Sequence, residues 1–507
     1  MAQDLARMVY EYLGNPFITT WRLPENGSLR LPLPRGILLA DFDSPDLDRG
    51  GESDVTLPYN CIVDWGDGSP SCEILAYDDR AATHVYSNAG DYTVHITGLI
   101  TGFCCGVSFW DGHFYKSARE PPGEKLHCIS QWGCLQLRSG RRAFERCFNL
   151  TITASDAPQL QDVTDLSKMF RDCVTLRKED LSSWQTNGVT SMCKMFDNCG
   201  HFDGNVSTWS TRAVVNMKGM FDRCGEFNGD LSQWNTCSVT DMTDMFRCCH
   251  NFRGDLSRWN TDSVTVMTGL FQECKYFKGE LSNWNTSRVL AMARMFEGCE
   301  SYNGDLSKWD TSEVTNMHLM FARCSSFQGR GLSRWKTGNL RNMSYMFERC
   351  SSFQGGDLLR GWQTGSVVSM EAMFKGCKCF NGDLSTWDTR YVINMREMFY
   401  DCNCFNGDLS QWETSRVGIS GNTFAGCWLF DGNVGGRLQG ISPLLHGCEN
   451  IGMNPSVTPT RHELEDCLPS LPLDVAGIVY DYVGNPFAER GVGHQTLLPG
   501  RSPPAPP

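Results

Sequence analysis

The sequence repeats itself about every 25 residues over more than half of its length. Twelve cysteines from Cys147 to Cys427 keep one register, with a step of 25 residues that is stretched to 26 or 27 at four places. Ten tryptophans from Trp184 to Trp412 follow the same register, and each has a threonine two residues later. A fixed period between about 20 and 50 residues is typical of stacked repeats. We therefore predict a repeat array that occupies most of the chain.

Each repeat contains two segments with different periodicities. Residues 227–251, FNGDLSQWNTCSVTDMTDMFRCCHN, represent the unit. The stretch V-x-x-M-x-x-M-F-x-x-C, which begins at Val239, has the spacing of one helix face and predicts a short helix. Trp and Thr in W-x-T alternate as neighbours on a strand do, which predicts a short strand. Asn-Gly pairs such as Asn228-Gly229 are expected to supply the positive φ angle of a tight turn.

The apolar positions of one repeat are too few to close a core, but stacked repeats can share one. We therefore expect an α+β repeat fold, a solenoid of about 10–12 coils with a short strand and a short helix in each coil, preceded by a small β-sandwich. Two repeats are longer, between Phe327 and Trp335 and between Phe353 and Trp362. Both insertions fall in the return turn, so the registers of the predicted strand and helix should be unchanged.

Charge and motif content argue against several classes of function. The chain has 45 Lys and Arg against 58 Asp and Glu, a net charge of −13, which argues against a nucleic acid as the main ligand. No stretch approaches the roughly 20 apolar residues of a membrane span. Asp4, Arg7 and Glu11 interrupt the first apolar residues, so we expect no secretory signal. The sequence contains no catalytic, phosphate-binding or zinc motif that we recognise, so we expect no enzymatic activity, cofactor or metal.

Residues 61–98 have the pattern of short strands joined by tight turns. Alternation from Tyr92 to Ile96 predicts a strand, and Asp67-Gly68 predicts a hairpin turn. The string D-W-G-D-G-S, followed by H-V-Y and G-D-Y-T-V-H-I, resembles a polycystic-kidney-disease-type (PKD-like) β-sandwich. This resemblance implies a binding or spacer module without catalytic activity.

The repeat unit also resembles a known family. The pattern M-F-x-x-C-x-x-F-x-G-D-L-S-x-W-x-T-S-x-V-T-x-M, over about residues 125–430, is similar to the repeat of BspA-like leucine-rich-repeat surface proteins, a mycoplasma-type repeat of unknown function. The resemblance implies a leucine-rich-repeat-type solenoid, usually at a cell surface, with a role in adhesion or protein binding. In a recurring layout of this family a PKD-like domain is followed by Q-W-G and the repeats, and Gln131-Trp132-Gly133 stands at that junction.

Three sets of equivalent residues have both a chemical and a structural interpretation. The cysteines could form a redox or metal stack, but free cysteine is often a small buried apolar residue. Acidic residues that precede the tryptophans could bind Ca²⁺ or could cap backbone N–H groups. They are Asp180, Asp230, Asp255, Glu280, Asp305, Asp357, Asp383 and Asp408. We favour the structural interpretation for both sets, and we expect the tryptophans to be buried instead of forming a carbohydrate platform.

The residues on either side of each tryptophan are the candidates for recognition. They should point away from the core if the tryptophan points into it, and they vary between repeats while the core positions hardly change. Repeat arrays bind along an extended face. The candidate interaction surface consists of Arg258, Lys308, Asp310, Arg334, Lys336, Asp388 and Glu413. An ordinary solvated surface remains the alternative interpretation of these positions.

Two similar segments lie near the two ends of the sequence. DLARMVYEYLGNPF at 4–17 recurs as DVAGIVYDYVGNPF at 474–487, and each places apolar residues on one helix face before Gly-Asn-Pro, a helix stop. Such a helix is expected to cap the array or to dock a partner. The second copy, preceded by Leu471-Pro472, weakly resembles an F-box-like docking helix.

These patterns divide the chain into an amphipathic helix at 1–20, a PKD-like sandwich at 21–124, a solenoid at 125–435, a cap with a helix at 436–490 and a Pro-rich tail at 491–507. The expected function is a non-catalytic binding or adhesion scaffold for a protein or glycan surface. The alternative is an intracellular adaptor whose segment LPLDVAGIVYDYVG recruits a partner. A glycan hydrolase has no residues to assign. The compartment, the oligomeric state and the redox state of the cysteines stay open.

Overall fold

A computed structural model of the protein describes residues 15–34, 57–105, 109–110, 113–114 and 122–430. Its strands are β1 (Phe17–Leu23), β2 (Ser28–Arg30), β3 (Tyr59–Asp64), β4 (Cys72–Ile74), β5 (Thr83–Val85), β6 (Gly90–Ile100), β7 (Phe109–Trp110), β8 (His113–Phe114), β9 (Leu126–Gln131) and β10 (Thr151–Ile152). The helices of these residues are short: α1 (Pro122–Lys125) and 3₁₀ turns at Arg80–Ala82, Leu332–Arg334 and Gly356–Leu359. None of them is long and apolar enough to cross a membrane.

The N-terminal strands form an open six-stranded sheet with the order β10-β9-β1-β6-β3-β4. The pair β1–β6 runs antiparallel along the whole of β1, and the apolar side chains of both strands alternate into a core that includes Trp21 and Val94. Strands β3 and β4 pair across the predicted Asp67-Gly68 hairpin, and β6 contains the strand predicted from Tyr92 to Ile96. Two-stranded sheets, β2–β5 and β7–β8, complete the strand pairing of the described residues.

The helix predicted over residues 1–20 is wrong for residues 17–20, because these residues belong to strand β1, which begins at Phe17. The remainder of that helix up to residue 14 lies outside the described residues. The same is true of the second copy at 474–487, the cap at 436–490 and the tail at 491–507.

The sheet and the repeats share one hydrophobic core. Strand β10 runs parallel to β9, and Trp132, just after β9, packs its ring against Phe144 and Trp184 at centroid distances of 5.6 and 5.4 Å. From there the core continues from one repeat to the next. The N-terminal sheet therefore covers the apolar end of the first repeat, which would otherwise face water.

Every repeat buries the same set of side chains against the equivalent side chains of its neighbours. Trp234 and Trp259 stack with their ring planes 3° apart and their centroids 6.4 Å apart, and the same stacking recurs along the array. The indole Nε1 of Trp259 donates a hydrogen bond to the carbonyl of Leu231 in the preceding repeat at 3.0 Å. The ten repeat tryptophans are only 2–5% exposed, which confirms the prediction that they are buried.

The helix predicted in V-x-x-M-x-x-M-F-x-x-C is wrong, because alternate N–H groups of this segment donate hydrogen bonds to the next repeat and not to carbonyl groups of the same turn of helix. The N–H groups of Met242, Asp244, Phe246 and Cys248 donate to carbonyl groups 24 residues further on, in the next repeat. The amides between them close tight turns, such as Met245 N–H to the Met242 carbonyl at 3.2 Å. Asp244 and Cys248 have φ angles of 54° and 58°, which no right-handed helix contains. The result is a compact series of turns.

The strand predicted at W-x-T is also wrong. Parallel bridges between repeats form instead at the residue before the first Met, as in the run Asn216, Asp241 and Val266. Each is an isolated bridge, since turns precede and follow it. The protein is therefore a repeat protein whose described residues form a mixed sheet and little helix, and in the repeats turns and inter-repeat hydrogen bonds replace regular elements.

The glycines of the Asn-Gly pairs have a different role from the one predicted. Gly229 and Gly304 do not have positive φ angles. A Cβ atom on Gly229 would lie 3.0 Å from the ring of Phe227, and one on Gly304 would lie 2.6 Å from the hydroxyl oxygen of Tyr302. Glycine is needed here because the aromatic core residue packs against the backbone two residues later.

The two longer repeats keep the register of the core, as predicted. Their extra residues lie in the return segment, next to or within the 3₁₀ turns Leu332–Arg334 and Gly356–Leu359, each of which includes the core leucine three residues before the tryptophan. Trp335 still stacks on Trp309 at 6.4 Å and on Trp362 at 6.2 Å, with ring planes 2° and 6° apart.

Candidate binding surface

The tryptophans point into the core and both of their neighbours point outward. The turn that precedes each of them fixes this orientation, as in the Trp234 N–H, which donates to the Leu231 carbonyl at 3.1 Å. Gln233 and Asn235 on either side of Trp234 are exposed, and the equivalent residues of the other repeats are exposed or half-buried. The tryptophans thus separate two outward rows of variable side chains, one row before them and one after.

The seven predicted surface residues all lie in these two rows. Arg258, Lys308, Arg334, Lys336 and Glu413 are exposed. The other two, Asp310 and Asp388, are half-buried.

The structure brings only some of these side chains together. Lys336 Nζ lies 3.3 Å from Asp310 Oδ2, and Lys308 Nζ lies 3.3 Å from the side-chain oxygen of Asn283. The carboxylate of Asp388 pairs with an arginine two residues later at 2.7 Å. In the part of the chain that the structure describes, Arg258 and Arg334 form no ion pair.

A ladder of buried charges on another face was not predicted from the sequence. The residue after the core Phe in M-F-x-x-C is a buried carboxylate in several repeats: Glu145, Asp197, Asp222 and Glu297. Arginines of adjacent repeats pair with them, as in Arg247 with Asp222 at 2.6 Å and Arg171 with Asp197 at 3.3 Å. Buried charges are rare unless they are paired. The recurrence of Asp, Glu and Arg at this position was the available sequence signal.

Burial changes the proton affinity of this ladder. Loss of solvation, together with the nearby carboxylate of Asp222, raises the pKa of Asp197 to about 6. Loss of solvation also raises the pKa of Glu145, against the opposing effect of Arg142 and Arg171. The ladder therefore joins repeats by ion pairs at a considerable desolvation cost.

Most of the acidic residues before the tryptophans cap turns, as we had favoured over calcium binding. Oδ1 of Asp230, Asp255 and Asp305 accepts the N–H of the serine two residues later at 2.8–2.9 Å. These hydrogen bonds lower the pKa of the three carboxyl groups. The residues described contain no cluster of His, Cys, Asp and Glu that could hold a metal ion. Glu280 and Asp357 lack this cap.

From Cys147 to Cys402 the cysteines of the ladder are buried free thiols. Cys249 Sγ donates to the carbonyl of Phe221 in the preceding repeat at 3.0 Å, and the same bond recurs along the array. Burial raises the pKa of Cys249 well above its ordinary value. Because the thiolate is the reactive form, these cysteines contribute packing and hydrogen bonds and are poor nucleophiles.

Several large apolar side chains are exposed in the last described repeats. Tyr391, Ile393 and Ile419 are about half exposed, and Val368 precedes Ile393 in the same column. The guanidinium of Arg416 lies 5.2 Å from the centre of the Tyr391 ring. Exposed apolar side chains bordered by charge are typical of interaction sites, so these residues are further candidates for contact with a partner, near the C-terminal side of the array.

The comparisons with known proteins concern the repeats. A family described as "Mycoplasma protein of unknown function, DUF285" matches residues 138–258, 243–358 and 327–436. Together the three overlapping matches span more than half of the chain. No curated protein and no solved structure matches the sequence.

Proposed function

The chain belongs to the family described as "Mycoplasma protein of unknown function, DUF285", and we propose that it is a non-catalytic scaffold that binds a protein or a glycan surface. The proposal rests mainly on one observation: core residues that hardly change between repeats hold two rows of variable polar side chains facing outward. A repeat array with this arrangement offers a long surface whose chemistry changes from repeat to repeat without changing the core.

We interpret the stack as a leucine-rich-repeat-type solenoid of the BspA-like surface proteins. The parallel bridges between successive repeats and the continuous core support this interpretation.

We interpret the N-terminal sheet as PKD-like. Within D-W-G-D-G-S, Asp64 Oδ1 accepts the Gly66 N–H and Asp67 Oδ1 accepts the Ser69 N–H, both at 3.0 Å. His84 pairs with Asp67 at 2.7 Å and stacks on Trp65. These contacts have a structural role and support a spacer or binding module.

Charge reversal in the row before the tryptophans tests the proposed surface. The variant Arg258→Glu/Lys308→Glu/Arg334→Glu and the wild type would be compared on immobilised glycans and purified surface proteins. A control variant, Arg212→Glu/Arg288→Glu/Arg396→Glu, makes the same charge change at exposed positions that do not flank a tryptophan.

We expect the first variant to lose binding and the control to retain it. Equal binding by wild type and both variants would refute this surface as the site.

The second candidate function is an adaptor that uses LPLDVAGIVYDYVG, residues 471–484, to recruit a partner. The near-repeat of this segment at residues 4–17 favours a role beyond the repeat array. Deletion of 471–487 would remove the adaptor's partner and leave binding to glycans or surface proteins intact. Fractionation of cells that express the tagged protein distinguishes the two candidates by compartment.

A further inference from the structure

The return turns of the array contain a column of side chains that join one repeat to the next. In this column, which begins at Asp203 and follows the core aromatic residue, an Asp or Asn side chain accepts the amide N–H of the equivalent residue in the next repeat. The bonds are Asn228 N–H to Asp203 at 2.9 Å, Arg253 N–H to Asn228 at 2.8 Å, Gln328 N–H to Asn303 at 3.0 Å and Asn406 N–H to Asn381 at 3.0 Å. Where these bonds form, the turns of adjacent repeats are tied together.

The column is interrupted where its residues are Arg253 and Lys278. Neither side chain has a hydrogen-bond acceptor. The amide N–H groups of Lys278 and Asn303 therefore lack the side-chain partner that their equivalents have on the preceding repeat. A groove of about 610 Å³ opens at this interruption.

The groove presents both hydrogen-bond donors and acceptors. Its lining residues include Arg253, Asp255, Tyr276, Lys278, Glu280 and Ser301. The Arg253 guanidinium lies over the Tyr276 ring, 4.9 Å from its centre, which restrains the cation beside the groove. One oxygen of Asp255 is occupied by the Ser257 N–H, whereas Glu280 has no cap of this kind.

This combination favours a ligand that carries one anionic group among several hydroxyl groups. Two cations and the amide N–H of Lys278 can bind a carboxylate. Glu280, Asp255 and the Ser301 hydroxyl can accept hydrogen bonds from hydroxyl groups. A polyanion would be repelled by the two carboxylates, and an apolar ligand would leave every polar group unpaired. The volume lies within the ordinary range of small-molecule sites.

We propose that the groove between residues 253 and 280 binds an acidic sugar unit of the uronic acid type. The inference rests on the proposed binding function and adds a ligand class to it, at a groove whose lining residues do not include the residues that flank the tryptophans. The sugar carboxylate lies against Arg253, Lys278 and the amide N–H of Lys278, and the sugar hydroxyls bond to Glu280 and its neighbours.

A second groove of the array can be compared with the first. The column is interrupted again between Gln328 and Gln354, and a second groove, of about 370 Å³, opens there. It is lined by glutamine, serine and glycine with Asp357 and Leu358, and has no cation among its lining residues. The first groove differs from this one in the cations at 253 and 278, which make it suitable for an anion.

Equilibrium dialysis of the full chain against radiolabelled glucuronate, glucose and acetate tests the assignment. We expect saturable glucuronate binding, with glucose and acetate each about tenfold weaker or more. The variant Arg253→Asn/Lys278→Asn restores the asparagine column and should abolish glucuronate binding. A control variant, Arg212→Asn/Arg288→Asn, removes the same charge at exposed positions outside the groove and outside the tryptophan-flanking rows, and should bind as the wild type does.

Glucuronate binding that is unchanged in Arg253→Asn/Lys278→Asn would overturn the proposal. Acetate binding as tight as that of glucuronate would overturn the sugar assignment. If the double variant does not fold, the single variant Lys278→Gln gives the same comparison, with circular dichroism as the folding check. Because the tryptophan-flanking row is tested by its own charge reversal, failure here does not affect that result.

Discussion

Replacing Asp197 by asparagine should change how the stability of the protein depends on pH. The side chain lies between repeats, in a residue that is 2% exposed, and its pKa is raised from 3.8 to about 6 by burial and by the carboxylate of Asp222. A group whose pKa is raised on folding stabilises the folded state in its protonated form. That contribution is complete below pH 3.8 and is lost as the pH rises through 6.

The size of the effect follows from the two pKa values. A difference of about two units corresponds to about 3 kcal/mol between low pH and neutral pH. Between pH 7.5 and pH 5 the folded carboxyl takes up most of a proton and the unfolded one almost none. The free energy of unfolding of the wild type should therefore increase by about 1 kcal/mol relative to Asp197→Asn, which has no proton to gain.

Urea unfolding followed by tryptophan fluorescence at pH 7.5 and pH 5 measures this difference. Asp230→Asn is the matched control. Hydrogen bonds from Ser232 lower the pKa of Asp230, so that carboxyl stays ionised over this interval in both states and contributes no pH dependence. The reasoning fails if wild type and Asp197→Asn respond to pH in parallel, or if Asp230→Asn behaves as Asp197→Asn does.

Three further predictions concern packing. Gly229→Ala should lower the free energy of unfolding by about 1–3 kcal/mol because the new methyl group meets an aromatic ring, whereas Gly421→Ala, with open space around it, should leave the urea midpoint unchanged. Trp259→Ala should lower the free energy of unfolding by about 3–5 kcal/mol. Trp259→Phe should lower it by less, because the ring packing is kept but the Leu231 carbonyl loses its indole donor. Equal urea midpoints for wild type and Trp259→Phe would contradict that hydrogen bond. Cys249 should react with a thiol reagent only in denaturant, and modification under native conditions, located by mass spectrometry, would contradict its burial.

The core could be predicted from the sequence because the period alone aligns equivalent residues. Once the tryptophans and cysteines stand in register, Trp234 must lie beside Trp259, whatever the backbone does between them. The local backbone could not be predicted in this way. The spacing of Val239, Met242 and Met245 fits one face of a helix, but it also fits a chain of tight turns whose alternate amides bond to the next repeat. Spacing does not show where an N–H group finds its acceptor.

The same ambiguity explains why the buried charges were missed. On a helix that buries Met245, Phe246 and Cys249, the residue after the phenylalanine would lie at the edge of the polar face. In the structure, the positive φ angles at Asp244 and Cys248 turn that residue into the gap between repeats. Asp222 and its equivalents are therefore buried between arginines and are not free for recognition.

Variation between repeats does not by itself identify a binding residue, because both the exposed rows and the buried charge ladder vary. Hydrogen-bond partners separate the two groups. Within the proposed surface, Lys336 and Asp310 are paired with each other, and Lys308 contacts Asn283. A partner must compete with these contacts before it gains new ones. Arg258 and Arg334 are exposed and can bind a carboxylate without such a loss. Single substitutions of these two arginines should therefore weaken partner binding more than substitution of Lys336, and the opposite order would indicate that the ion pair itself is recognised.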